Sequence, residues 1–514
     1  MSQDLRPPAG PGVALLTAAA SGALLWTAFP PIHAGWIAPV AVAALTWSLL
    51  RQPLGRAALI GFVAGLTFFL PLLTWMQVIG WDATVGLACL MAGWFALQGM
   101  ATGLVSRLPG WPVWIAGLWV LQEWLRGLVP WGGFPWGRLA FAQPETIMGR
   151  PAAVVGLSGV TFIVALVGTS GIAALLAARQ GQWRRVFGWT AVLALLLAAS
   201  AFASSPIKTP TTATVAVIQG GTPQTGMGAM DVRRAVLDNH VRETMALARA
   251  IGNGTEPRPD FVLWPENSSD LDPLALPEAA GLISMASRAV QVPILVGAII
   301  EVPGHPDNVF NVGIVWSPTD GPGQTYAKRH PVPFGEYVPL RSLIAGLVGR
   351  FDRIPRDFLA GTNPGDLLIN GLHIGDLICF EVAYDDVMQP LIEANPQLIT
   401  VQTNNATYAG TAQPEQQLEI TRMRAIESGR TVAVAATSGI SAFISPDGSV
   451  TDRLVTGETG RIVRTILLAE GSTLAVVLGP LVTLGLNALI GIAILVAIVS
   501  AVRGRRRTPP KVDA

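Results

Sequence analysis

The chain has 514 residues, of which 51% are hydrophobic and 13% charged, where an ordinary soluble domain carries about 25% charged residues. With a mean hydropathy of +0.48, this excludes a wholly water-soluble protein, and a net charge of +1 without an aromatic-interleaved basic patch gives no reason to expect nucleic acid. Its two cysteines, Cys89 in an apolar run and Cys379 in a polar stretch, exclude a disulfide framework.

Crossing a bilayer takes about 20 mostly apolar residues. Segments of that kind lie near 12–29, 35–50, 57–79, 84–105, 111–128, 151–178 and 186–204, with one more at 472–502, so eight spans are expected. Cys89, within the fourth, reads as a small buried hydrophobe of a membrane helix. A signal-peptide reading of Arg6 and the first apolar run is disfavoured, because further spans follow at once and no small-residue cleavage site stands out.

Arginine and lysine in short loops set orientation. Arg51, Arg56, Arg107, Arg179, Arg184, Arg185 and the basic tail 503–514 all fall on one side if the N-terminus is cytoplasmic. Arg126, Arg138 and Arg150 run against the rule. Their segment, 126–150, is expected to be a folded interfacial loop with its aromatics at headgroup depth, the alternative being a plain linker. Seven crossings place 205–470 outside the cytoplasm, with both termini inside.

From residue 213 short β-rich runs alternate with polar helical stretches. Strands are expected at 214–219, 261–264, 294–298, 312–316, 376–379, 398–402 and 431–435, and helices over 231–250 and 414–428. Apolar runs of this length suit strands covered on both faces, which predicts a layered α/β sandwich.

Strand termini and the loops after them are where scaffolds present reactive groups, and three residues have such a place: Glu266 in Trp264-Pro-Glu266, Lys328 in Tyr326-Ala-Lys328, and Cys379 in Gly375-Asp-Leu-Ile-Cys-Phe-Glu381. Singly, each has an ordinary reading as a solvated carboxylate, a surface charge or a core thiol. Together they make an acyl-transfer set. A thiol needs a base to become a thiolate, a buried carboxylate supplies one, and an ammonium holds the oxyanion formed when sulfur attacks a carbonyl.

These residues resemble the Glu-Lys-Cys triad of the nitrilase superfamily of carbon-nitrogen hydrolases. The run from Tyr326 to Pro339, Arg422-Met-Arg-Ala-Ile-Glu427, Glu123-Trp-Leu-Arg126 and Gly133-Phe-Pro-Trp136 narrow the resemblance to the bacterial apolipoprotein N-acyltransferase family. It implies a multi-pass helical membrane bundle of eight spans in the bacterial cytoplasmic membrane, carrying an extracytoplasmic nitrilase-like αββα sandwich. It also implies ping-pong transfer of a fatty acyl chain. Cys379 would take the chain from a membrane phospholipid as a thioester, and the diacylglyceryl-cysteine N-terminus of an apolipoprotein would accept it on its α-amino group. Glu266 would be the base and Lys328 the oxyanion donor. Glu336 and Glu381 would orient Lys328 or bind substrate, with Phe380, Asn404 and Tyr408 as supporting or substrate-binding residues. No cofactor and no metal are implied. A hydrophobic lid over the thioester is expected among the loops at 220–230, 340–360 and 404–412.

Two departures touch substrate contacts. The Gln219-Gly-Gly-Thr-Pro-Gln224 segment leads into Thr225-Gly-Met227 without the family's Trp, and Asn404-Asn-Ala-Thr-Tyr408 lacks its Asp and Trp. A membrane-tethered amidase passing its thioester to water shares the triad and differs only in the acceptor. A scaffold that binds a partner enzyme needs no chemistry from Cys379.

Overall fold

The computed structural model describes residues 7–203, 211–228, 234–344 and 349–506, so Arg6, most of the basic tail and residues 231–233 of the expected helix lie outside the described residues. The chain divides into two compact units, one of Met1–Ser204 with Val477–Ala514 and one of Ser205–Val476.

The first unit begins with α1 (Pro11–Thr27), α2 (Ala38–Leu49), α3 (Leu54–Leu72), α4 (Trp81–Val105), α5 (Trp111–Arg126), α6 (Ala152–Arg179) and α7 (Trp183–Phe202). Among the described residues five helices are long and apolar enough to cross a membrane: α3, α4, α6, α7 and Leu474–Arg503 near the C-terminus. The segments expected at 12–29, 35–50 and 111–128 are also helical but shorter, α1 having 17 residues and α5 16. The span expected at 57–79 ends early. Pro71 lies in the last turn of α3, and the chain continues as a 3-10 turn over Thr74–Val78.

Without a hydrophobic drive between helices in lipid, close backbone approach through small residues holds such units together. A Cβ on Gly61 would stand 2.1 Å from the Phe95 carbonyl oxygen, and one on Gly99 2.3 Å from that of Ala57. Only glycine lets α3 and α4 approach this closely. Cys89 lies on α4 and is half-buried rather than buried.

The segment after α5 is folded. Arg126, 1% exposed, donates to the carbonyls of Phe134 (3.1 Å) and Trp136. Glu123 accepts from the Leu139 N–H and the Thr161 hydroxyl, each at 2.7 Å, and pairs with Arg138 at 3.6 Å. This explains why two arginines break the loop-charge rule: they are internal staples of the fold, so they do not count as loop charges. The aromatics do not all face outward. Trp136 and Phe141 are buried, whereas Trp131 is 47% exposed.

In the second unit, β1 (Thr212–Gln219), α8 (Ala235–Gly252), β2 (Phe261–Leu263), α9 (Pro277–Val290), β3 (Ile294–Val302), β4 (His305–Ser317) and β5 (Gly321–Ala327) come first. There follow α10 (Arg341–Ile344), β6 (Asp357–Phe358), β7 (Asp366–Ile369), β8 (Leu372–Ile378), α11 (Asp385–Glu393) and β9 (Leu398–Thr403). The unit closes with α12 (Gln413–Ser428), β10 (Val432–Ala436), β11 (Ser441–Ile444), β12 (Val450–Leu454) and β13 (Gly460–Leu467), before α13 (Leu474–Arg506) leaves it.

One sheet runs β13-β1-β2-β3-β4-β5, with β6 beside β4, and the other β12-β11-β10-β9-β8-β7. In each, three central strands are parallel: β1, β2 and β3 in the first, β8, β9 and β10 in the second. Side-chain alternation builds two cores from one strand. Val215 and Val217 of β1 meet Ile374, Ile378 and Ala433 between the sheets, while Ala216 and Ile218 face Leu237 and Val241 of α8 and Ile283 of α9. With α11 against β8 and α12 against β11 on the second sheet, the layers are αββα.

Candidate active site

Glu266, Lys328 and Cys379 each follow a strand. Pro265 cannot donate to a ladder, so β2 stops just before Glu266. Lys328 follows Ala327, the last residue of β5, and is tied by its N–H to the Asn311 carbonyl at 2.8 Å. Cys379 directly follows β8 and opens a 3-10 turn, Cys379–Ala383. Its φ of 59° is left-handed, a conformation that costs a residue with a side chain roughly 1–3 kcal/mol. Neighbouring bonds hold it there: Gln417 Nε2 donates to the Cys379 carbonyl at 3.2 Å, and Glu381 Oε2 accepts from the Ile378 N–H at 2.8 Å.

The ammonium of Lys328, 1% exposed, lies 3.2 Å from Glu266 Oε1 and 2.9 Å from Glu336 Oε1. Asn311 Nδ2 donates to the same two oxygens, at 2.7 and 2.9 Å. Only the nitrogen of that amide can face two carboxylates, which sets its orientation. The remaining oxygens are fixed by main chain, Glu266 Oε2 by the Asn404 N–H at 2.8 Å and Glu336 Oε2 by the Val332 N–H at 2.6 Å.

Burial alone would lower the Lys328 ammonium, but Glu266, Glu336 and the Cys379 sulfur hold it well above the ordinary lysine range. Burial pushes the Cys379 thiol up, and Glu266 adds to this against Lys328 and the Thr403 hydroxyl, so it reaches about 12. At neutral pH the sulfur is therefore protonated. A thiol held in this way needs a base before its sulfur can serve as a nucleophile.

Glu381 is fully buried and saturated. Its Oε1 accepts from the Tyr326 hydroxyl at 2.9 Å and from the N–H groups of Arg329 (2.6 Å) and His330 (3.2 Å). Its Oε2 holds Ile378, so one carboxylate clamps the chain before Cys379 and after Lys328. It acts on Lys328 through backbone, with no oxygen left for a substrate. Glu336, in contrast, holds the ammonium directly. Phe380 is half-buried against the inter-sheet core. The Asn404 side chain accepts from the Thr437 hydroxyl at 2.7 Å, and its backbone N–H reaches Glu266. Burial pushes the Tyr408 hydroxyl up, with Cys379 and Glu336 adding to the shift and Lys328 opposing it. Its 3-10 turn, Ala406–Tyr408, packs against another at Gly226–Gly228, which carries Met227. Residues 229, 230 and 345–348 of the expected lid loops lie outside the described residues.

Sequence reasoning missed Asn311, Thr403 and Gln417. The available signal was polarity in apolar surroundings: Asn311 interrupts a buried strand, and α12 buries Gln413, Gln416 and Gln417 on one flank.

Residues 21–170 match the family model described as apolipoprotein N-acyltransferase N-terminal domain, and 215–475 match that of carbon-nitrogen hydrolase. The apolipoprotein N-acyltransferase of Mycolicibacterium smegmatis is 38% identical over 492 residues, covering 91% of this chain and 82% of that one. The protein of the same name from Photobacterium profundum is 27% identical over 497 residues, covering 92% and 91%. Among solved structures, an amidase from Nesterenkonia sp. aligns with 51% of this chain and 93% of its own, at 18% identity and a TM-score of 0.37.

Proposed function

From the premise that this chain belongs to the apolipoprotein N-acyltransferase family, we propose that it transfers a fatty acyl chain from a membrane phospholipid to an apolipoprotein by way of a thioester on Cys379. The observation that carries this is the Lys328 ammonium fixed between Glu266 and Glu336 beside a buried thiol.

In the first half-reaction the Cys379 sulfur attacks the ester carbonyl while Glu266 takes the thiol proton. The carbonyl oxygen gains the negative charge, and Lys328 stands ready to hold it without reorganisation. Collapse breaks the ester C–O bond, the proton passes from Glu266 to the departing lysophospholipid, and the acyl chain stays on sulfur. In the second, the ammonium of the diacylglyceryl-cysteine terminus must lose one proton, released to solvent, to become a nucleophile. The amine attacks the thioester, Glu266 takes the proton released as the amide forms, and sulfur leaves to regain a proton. Glu336 and Asn311 keep Lys328 and Glu266 aligned through both halves.

In this reading residues 1–204 form a membrane domain of seven spans, 205–470 an extracytoplasmic catalytic domain, 471–502 an eighth span and 503–514 a cytoplasmic tail. The loop arginines and the five long apolar helices support that layout. Both substrates carry acyl chains, and drawing a chain into water costs about 0.8 kcal/mol per CH₂. A membrane-anchored enzyme avoids most of that cost.

The test is intact-mass analysis after exposure to phospholipid alone. An acyl-sized gain that hydroxylamine removes and Cys379→Ser abolishes is expected, followed by a triacylated product once a diacylated peptide is added. An enzyme that only releases fatty acid, or that still gains the acyl mass as Cys379→Ser, overturns the reading.

A further inference from the structure

Behind Cys379 lies a closed set of buried polar side chains, Thr403, Asn405, Gln413 and Gln417, none more than 3% exposed. The hydrogens that bear on Thr403 can be assigned one by one. Asn405 Nδ2 gives both of its own, to Gln413 Oε1 at 2.9 Å and Gln417 Oε1 at 2.8 Å. Gln413 Nε2 adds a second donor to Gln417 Oε1 at 3.1 Å. Gln417 Nε2 gives its two to the Cys379 carbonyl at 3.2 Å and to Thr403 Oγ1 at 3.0 Å. Gln417 Oε1, facing two donors, has both lone pairs filled, so the 3.4 Å approach of Thr403 Oγ1 to it carries no proton.

The single hydroxyl hydrogen of Thr403 then has two acceptors at one distance, Asn405 Oδ1 and Cys379 Sγ, each 3.3 Å away. Their strengths depend on the state of the sulfur. An amide oxygen outcompetes a neutral thiol, and a thiolate outcompetes the amide oxygen.

We infer that the Thr403 hydroxyl is a rotor that rests on Asn405 Oδ1 while Cys379 is a thiol and turns onto Sγ as Glu266 removes the proton, which makes Thr403 a further catalytic residue. The inference rests on Cys379 being the acyl-carrying nucleophile. The bond forms only as negative charge develops, so it favours the thiolate without stabilising the resting thiol. The hydrogen remains on Oγ1 throughout. When the sulfur becomes a thioester it loses its charge and the hydroxyl returns to Asn405. When the amine expels the sulfur, the hydroxyl turns to it again.

The measurement is the rate at which iodoacetamide alkylates Cys379 in the full-length protein in detergent, read by mass at that cysteine. It is followed between about pH 7 and pH 9, where thiolate is scarce and the rate tracks its fraction. Thr403→Val, isosteric but without the hydroxyl, is expected to slow alkylation about tenfold across the range, equivalent to an upward displacement of about one pH unit. Thr403→Ser should return the rate to near that of the parent. Should Thr403→Val fail to fold, Thr403→Ala removes the same hydroxyl and is read in the same way. A hydroxyl-free variant that alkylates as fast as the parent, or a Thr403→Ser variant as slow as Thr403→Val, overturns the inference. Acyl uptake is scored separately: acyl mass persisting in Cys379→Ser defeats the nucleophile assignment, whereas normal alkylation in Thr403→Val defeats only the rotor.

Discussion

Glu266 and Glu336 share more than an ammonium. One amide nitrogen, Asn311 Nδ2, also binds both, so two carboxylates are kept close by donors on two sides. Asn311→Asp would replace a donor with a third acceptor and add like charge to a buried site. We expect it to cut acyl-enzyme formation by about a hundredfold, more than Asn311→Ala does, because a hydrogen bond to a buried charge is worth about 1.5–3 kcal/mol. Equal losses for the two variants would show that Asn311 only fills space. Asn311 was also the residue hardest to read in advance. Glu266 and Cys379 are legible because reactive types stand where apolar runs end, and Lys328 because it lies in the Tyr326 to Pro339 run that carries the family resemblance. Asn311 lies inside β4, where a lone amide has many ordinary uses and only the three-dimensional meeting of Glu266 and Glu336 reveals this one.

The parallel central strands were legible as apolar runs, since both of their faces are covered. The outer strands β5, β12 and β13 were not, because Gly321–Ala327 or Val450–Leu454 face solvent and carry little apolar periodicity. Between the sheets, the register hid a second polar meeting. Asp376 of β8 accepts from the Thr400 hydroxyl at 2.7 Å through Oδ1, and Gln402 of β9 donates to the Trp264 carbonyl at 2.6 Å. Asp376 Oδ2 and Gln402 Oε1 are buried with no hydrogen-bond partner among the described residues, and both converge on Gly313 of β4, where a Cβ would lie 2.4 and 2.7 Å from them. Burial pushes the Asp376 carboxyl well above its usual range, with Glu381 adding to the shift and Thr400 and the Leu377 N–H opposing it. The folded chain thus retains a proton that the unfolded chain releases above about pH 4. Stability from this group is fully present below that value and is lost as pH rises toward the folded-state pKa. Asp376→Asn, a neutral isostere, should therefore match the parent in thermal midpoint near pH 4 and exceed it increasingly toward pH 8. A midpoint lowered at every pH would mean that the carboxylate is ionised and needed.

At the level of the whole chain, the five long apolar helices and the loop arginines bear on sidedness. Asn253 is exposed in the second unit, and Gln180 is exposed between α6 and α7. In a Cys89→Ala, Cys379→Ala background, which carries no other thiol, Asn253→Cys should react with a membrane-impermeant maleimide in intact spheroplasts, and Gln180→Cys only after permeabilisation. The reverse pattern would invert the proposed orientation. The pairing of β1 with β13 bears on how such a chain is put together. Thr212 and Leu467 are cross-strand partners, so the catalytic unit starts and finishes at adjoining points, like a hairpin with an enzyme for its turn. An insertion of that kind asks almost no separation of the segments that flank it. A loop added within the sandwich would leave that shared point of entry and exit where it is.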